Sequence, residues 1–182
     1  MKKLTFLLFF CSLIAIGQKK NQAVSKLESQ LVWTQLTDRV IEDSKSKHFD
    51  FTHISHRITE GSMTLIDSIN GAQVKIGSGA FTIDTYKDKN TNQIIKSSHS
   101  DVVDYNENAK SDFKGKTKRS KIDIYYSDEK PVFATYLELI KSNKKIVNRE
   151  FYYVQLDVDD PSQKDVRTYI LRLGEYEIAH KK

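Results

Sequence analysis

The sequence predicts a mainly β protein, an antiparallel β-meander forming a curved sheet or partial barrel with one N-terminal amphipathic helix packed on it. Three observations carry that expectation. Apolar residues between positions 24 and 43 recur at spacings of three to five, the helical period. From His48 onward, β-branched and aromatic residues alternate with polar ones. Short Gly, Asn, Asp and Lys clusters divide this second region into runs, and connectors so short favour antiparallel pairing of neighbours.

The chain opens with a segment of another kind. Met1, Lys2 and Lys3 lead into an apolar run from Leu4 to Ile16 and a small-residue end at Ala15-Ile16-Gly17, the layout of a secretory signal peptide. The run falls short of the ~20 residues of a membrane-spanning helix, and Gln18-Lys19-Lys20 turns polar at once. Cleavage is expected after Gly17, leaving 18–182 as one α+β domain with no transmembrane helix and a destination in the periplasm, cell envelope or extracellular space. The single cysteine, Cys11, lies in the leader, so the mature chain has no thiol for a disulfide, a thiolate metal site or a cysteine nucleophile. Leu8-Phe9-Phe10 puts bulky residues where acylation of Cys11 would favour small ones.

The formal charge is +5, from 29 basic and 24 acidic residues; removing the leader's two lysines leaves 27 against 24, or +3. A balance this mild, with both signs interspersed, suits an ordinary solvated surface and points away from nucleic acid.

Taken in order, the helix is expected at about 24–43, with Leu27, Leu31, Leu36 and Val40 as its buried residues and Val32 and Ile41 on the same stripe. Trp33 lies about 60° from Leu36, a position either bordering that stripe or on the surface. Ser25 and Glu28 have the capping-box spacing, and the polar run Asp43 to Lys47 ends the helix. Strands are expected over Phe49–Ile58, Met63–Asp67, Gln73–Ile76, Ala80–Tyr86, Gln93–Val103, Lys121–Tyr126, Val132–Ile140, Ile146–Val158 and Val166–Leu173, with an extension over Tyr176–Ala179. Turn signals stand at Asn70-Gly71, Lys87–Asn92, Asp128–Lys130 before Pro131, Ser142-Asn143 and Asp159–Ser162. The stretch Asp104–Ser120 has no period and reads as a long exposed loop. A two-sheet sandwich, with that loop as crossover, is the alternative fold.

The tempting chemical clusters fail on geometry. His48, His53 and His56 fall within nine residues, but on a strand His53 and His56 face opposite ways, and His48 and His56 sit ~26 Å apart. No metal is expected there. Asp88–Asn92 and Asp157–Asp160 resemble calcium loops, yet lack the turn glycine and the closing glutamate, and both read as hairpin turns. Gly77-Ser78-Gly79 lacks both the spacing and the following helix of a nucleophile turn. Carboxylate pairs such as Asp84 with Asp123 or Glu138 with Glu150 are read as partners of lysines.

An aromatic inventory is left, most of it core. The expectation is therefore an exported, non-enzymatic binding protein without catalytic residues or cofactors, holding an apolar or amphipathic small molecule in the β-meander barrel. Phe81, Ile83, Tyr126, Tyr136 and Tyr152 are its wall candidates. The outline of leader, meander and aromatic interior is similar to lipocalin-type organisation at the level of fold alone. That family's Gly-x-Trp motif is absent, the one tryptophan, Trp33, falling in the helix. The alternative is an envelope or surface module that lacks a cavity and binds a protein partner through a strand edge, the helix or the basic residues Lys114, Lys116, Lys118 and Arg119.

Overall fold

A computed structural model describes residues 25–45 and 53–180. The chain divides into two compact units, 1–40 and 41–182. The helix α1 runs over 25–45. Leu27 and Leu31 are half-buried, and Thr34 and Ile41 are buried. The Thr34 hydroxyl donates to the Leu31 carbonyl at 2.8 Å, which satisfies it locally and lets a polar residue be buried on this helix. The expected stripe is thereby rotated: Leu36, expected inside, is 57% exposed, and Val32 and Val40 are exposed with it.

Residues 54–155 form six strands, β1 (Ile54–Ile69), β2 (Ala72–Asp88), β3 (Ile94–Tyr105), β4 (Thr117–Ser127), β5 (Lys130–Ser142) and β6 (Lys145–Gln155). They make one antiparallel sheet in the order β1-β2-β3-β4-β5-β6, a meander. The order is linear and β1 does not pair with β6, so the sheet is open and not a closed barrel or a two-sheet sandwich. Both central residues of the turns at Asn70-Gly71, Asp128-Glu129 and Asn143-Lys144 have positive φ. That conformation matches the right-handed twist of the strands each turn joins. Strands expected as separate pieces fuse: Phe49–Ile58 and Met63–Asp67 belong to β1, and Gln73–Ile76 and Ala80–Tyr86 to β2. Residues 49–52 lie outside those described.

The C-terminal segment overturns its expectation. Val166–Leu173 and Tyr176–Ala179, expected as strand, form the helix α2 (Lys164–Ala179). It follows a short 3₁₀ turn, Pro161–Gln163, that Asp160 caps by accepting the Ser162 N–H at 2.9 Å. Asp157–Asp160 is thus part of a helix entry, not a hairpin. Ile170, Gly174 and Glu177 are the buried residues of α2, at helical spacing. Gly174 is required by close approach: a Cβ there would lie 2.9 Å from Pro131 Cβ and 3.1 Å from Pro131 Cγ. α2 packs on β3, β4 and β5. The core it covers comprises Ile94, Ile122, Ile124, Tyr126, Ala134, Val154, Leu156 and Ile170.

Two arginines fasten the ends of α2. Arg167 donates from Nε and Nη2 to the Leu156 carbonyl at 3.2 and 3.0 Å. Arg57 of β1 donates from Nη1 to the His180 carbonyl at 3.1 Å, supplying a cation to the helix C-terminus, where the dipole favours one. Arg57 Nη2 also reaches Glu177 Oε2 at 3.4 Å, and Thr85 donates to the same oxygen at 3.0 Å. Glu177, 2% exposed, therefore enters the core with a charge partner and a hydroxyl.

Candidate functional site

The register turns the α2-facing side of the sheet into rows that cross the strands. Arg57, Thr85, Ser97, Ile124, Ala134 and Val154 align in one row, and most of it is buried. The next is Thr59, Ile83, His99, Ile122, Tyr136 and Tyr152. Beyond it stand Gly61, Phe81, Asp101, Ser120, Glu138 and Glu150, then Met63, Gly79, Val103, Lys118, Ile140 and Asn148. Alternation along each strand keeps all four rows on one face. Going from the first row to the third, the side chains change from a mostly buried floor to a row with three carboxylates.

A pocket of about 270 Å³ opens where these rows meet α2. Met63, Phe81, Ile83, Ile122 and Leu173 give it apolar walls, and His99, Asp101 and Tyr169 supply its polar side chains. Gly61 shapes it: a Cβ there would fall 2.5 Å from Phe81 Cζ, so the ring lies over β1 only because that side chain is absent.

The polar side holds three hydrogen-bonded groups. Ser120 Oγ donates to Asp101 Oδ1, Tyr136 OH donates to Glu138 Oε2, and Lys118 Nζ lies 2.8 Å from Glu138 Oε2. Tyr152 OH donates to Glu150 at 2.8 Å, and the Tyr136 and Tyr152 rings stack with centroids 5.8 Å apart. Burial pushes the Asp101 carboxyl above its ordinary pKa, Lys118 opposing the shift and Glu138 adding to it. Burial likewise disfavours the charged Glu138, but the bonds from Lys118 and Tyr136 prevail and hold it below the usual value. Lys118 pays for burial too, yet Glu138, Tyr105 and Asp101 carry its pKa above the ordinary lysine value. Burial, then the Glu138 bond, drives the Tyr136 phenol far up, and burial raises Tyr169. His99 is lowered by burial against the opposing pull of Glu177 and Asp123, which favours neutral imidazole.

The wall candidates separate. Phe81 and Ile83 line the pocket. Tyr126 lies in the core under α2, its hydroxyl 2.8 Å from Ser97 Oγ, with burial driving its pKa far up. Tyr136 and Tyr152 form the stacked pair farther along the second row. Sequence reasoning missed His99, Asp101 and Tyr169; the first two share the alternation of Ser97 and Val103, but nothing in one strand says which partners stand opposite.

The basic candidates separate as well. Tyr105 and Thr117 end the flanking strands, so the loop is shorter than Asp104–Ser120. It is internally bonded: Lys114 pairs with Glu107 at 2.8 Å, Lys116 Nζ donates to the Asp112 carbonyl at 2.7 Å, Phe113 packs on Tyr105, and Ala109 is buried. Lys118 is a β4 residue turned toward Glu138, and Arg119 is exposed on β4 opposite Val102 and Leu139.

Other clusters have local roles. His56 Nε2 meets Asp84 at 2.7 Å and its ring stacks on Tyr86, while His53 Nδ1 lies 3.3 Å from Asn90. His48 lies outside the described residues, and among those described no three metal-ligating side chains converge. Asp88 accepts the N–H groups of Asn90 and Thr91 at 2.7 and 3.0 Å, backbone bonds that lower its pKa and close the β2–β3 turn. Gly77-Ser78-Gly79 sits inside β2, paired with both β1 and β3. Ser97 Oγ stands 3.2 Å from His99 Nε2, but Ser97 is 0% exposed and already holds Tyr126, so no substrate carbonyl can reach it. Glu138 and Glu150 face each other across β5 and β6, with Glu138 held ionised and thus unsuited to general-acid work. No described helix is long and apolar enough to cross a membrane. Comparison with known proteins finds no family model, curated protein or solved structure that matches this chain.

Proposed function

We propose that the protein is a non-enzymatic binding protein that holds a small amphipathic molecule in the pocket between the sheet and α2. The supporting observation is the pocket itself, about 270 Å³, with aliphatic and aromatic walls and a few polar groups gathered at Asp101. Small-molecule sites have this composition, and the volume lies just below their usual range of roughly 300–1,000 Å³, which suits a small ligand. Curvature of the sheet into a partial barrel around the ligand, and export directed by Met1–Gly17, belong to the same proposal.

The test is fluorescence of the neutral probe N-phenyl-1-naphthylamine, with Ile83→Trp as the variant that fills the pocket. Saturable enhancement by the native protein, lost in a folded Ile83→Trp variant, supports the reading. No enhancement, or equal enhancement in both, refutes it. Native mass spectrometry of the exported fraction tests the leader, the expected mass being that of residues 18–182.

A second reading rests on the edge strand β6, which exposes Ile146, Val147, Phe151 and Tyr153. An apolar edge with unpaired backbone groups is a template for a strand from another chain. Under this alternative the protein is an envelope module that engages a protein partner along β6. A proline at Val147 would then abolish partner capture and leave probe binding intact.

A further inference from the structure

The pocket has a polarity that narrows its ligand. Asp101 projects from the third row, and of its two carboxylate oxygens Oδ1 accepts the Ser120 hydroxyl. The carboxylate is among the groups that line the pocket. The charges on this part of the sheet do not balance: Asp101, Glu138 and Glu150 share one row, and Lys118 in the adjacent row is the single cation among them, 3 against 1. Lys118 is already held by Glu138 at 2.8 Å. No lysine or arginine is among the residues lining the pocket, and of its other titratable groups His99 is kept neutral by burial and Tyr169 keeps its proton. Phe81 and Tyr169 offer ring surface beside the carboxylate, and aromatic faces attract cations.

Resting on the binding reading above, we propose that the ligand is an amine: a protonated nitrogen that pairs with Asp101, carried on an apolar body that fills the space between Phe81, Ile83 and Leu173. An ammonium supplies both a hydrogen-bond donor to the Asp101 carboxylate and a positive charge, which no residue lining the pocket brings. A carboxylate ligand would meet Asp101 head-on, and an alcohol would supply the donor without the charge. Charge-assisted hydrogen bonds are roughly twice as strong as neutral ones, so the selectivity should be large. Binding should also lower the Asp101 pKa, because an adjacent cation offsets the desolvation that raises it.

The experiment compares hexylamine, 1-hexanol and hexanoate as competitors of N-phenyl-1-naphthylamine at neutral pH, in the native protein, Asp101→Asn and Ser120→Ala. Hexylamine should compete at least tenfold more strongly than 1-hexanol, and hexanoate least. Asp101→Asn should bring amine and alcohol within about twofold, while Ser120→Ala, which keeps the carboxylate, should retain the preference. Equal competition by amine and alcohol in the native protein overturns the amine assignment while leaving the pocket reading standing, because both then still displace the probe. Failure of the probe itself to bind overturns both. The native-protein ratio decides the matter even if Asp101→Asn does not fold.

Discussion

Replacing Gly174 by alanine sets two known effects against each other. Alanine in a helix interior is favoured over glycine by about 0.8–1.0 kcal/mol. The new Cβ, however, would stand 2.9 Å from Pro131 Cβ and 3.1 Å from Pro131 Cγ, atoms of a closed ring on β5 that cannot rotate away. α2 must then lift from the sheet it packs on, and overpacking of this kind costs about 1–3 kcal/mol. The difference is a net loss of about 1 kcal/mol, which lowers Tm by roughly 2–4 °C in a chain of this size. The assay is urea unfolding followed by far-UV circular dichroism. Repeating it in a Pro131→Gly background, where the obstructing atoms are gone, should reverse the sign and make Gly174→Ala stabilising by about 0.8–1.0 kcal/mol. The coupling between the two sites is then about 2 kcal/mol, well beyond the ~0.3–0.5 kcal/mol scatter of independent sites. A Gly174→Ala variant that is more stable than the native protein, or two mutations that add, would refute the claim that α2 sits on β5 through this glycine.

The remaining expectations concern the pocket. Asp101 has a raised folded pKa, so its ionisation opposes folding once pH rises above the ordinary carboxylate range; Asp101→Asn should raise the urea midpoint at neutral pH, and the gain should vanish below about pH 4, where the native carboxyl is protonated in both states. His99 has a lowered folded pKa, so the stability it contributes is present above the ordinary imidazole value of about 6.5 and is lost as pH falls through the folded value. His99→Gln should therefore flatten the decline in urea midpoint between about pH 7 and pH 5; an unchanged decline would show that another group causes it. Gly61→Ala should displace the Phe81 ring, weakening N-phenyl-1-naphthylamine binding with the strand pairing intact by circular dichroism.

The hairpins were legible because their turns leave a chemical mark. Asn70, Gly71 and Asn143 stand where positive φ is needed, a conformation Asn and Gly adopt at low cost, although the second turn lies one residue later than expected, at Asn143-Lys144. α2 was illegible for the converse reason. Val166, Tyr169, Ile170 and Ile178 have strand propensity, and a glycine stands in the middle, yet packing on β3, β4 and β5 outweighs those weak local preferences. The spacing Val166–Ile170–Glu177 and the entry Asp160-Pro161 were the contrary signals. On α1 the apolar count misled: a threonine bonded to its own helix is buried, and Leu36 is exposed. For the site, alternation sufficed to put Phe81 and Ile83 on one face. The row Phe81–Asp101–Ser120–Glu138 is a property of register across four strands, and Tyr169 joins it only through a helix that read as a strand.

The linear strand order also bears on how the chain reaches its native state. Every strand pairs only with the strand before and after it, so each hairpin closes a short loop, the longest being 106–116 between β3 and β4. Loop-closure entropy is then met in small instalments, and such topologies fold quickly for their β content. α2 is the exception, since it must find β3 and β4, which precede it by two or more strands. Hairpins should therefore zip from their turns first and the helix should dock afterwards, which makes closure of the pocket the last event in folding.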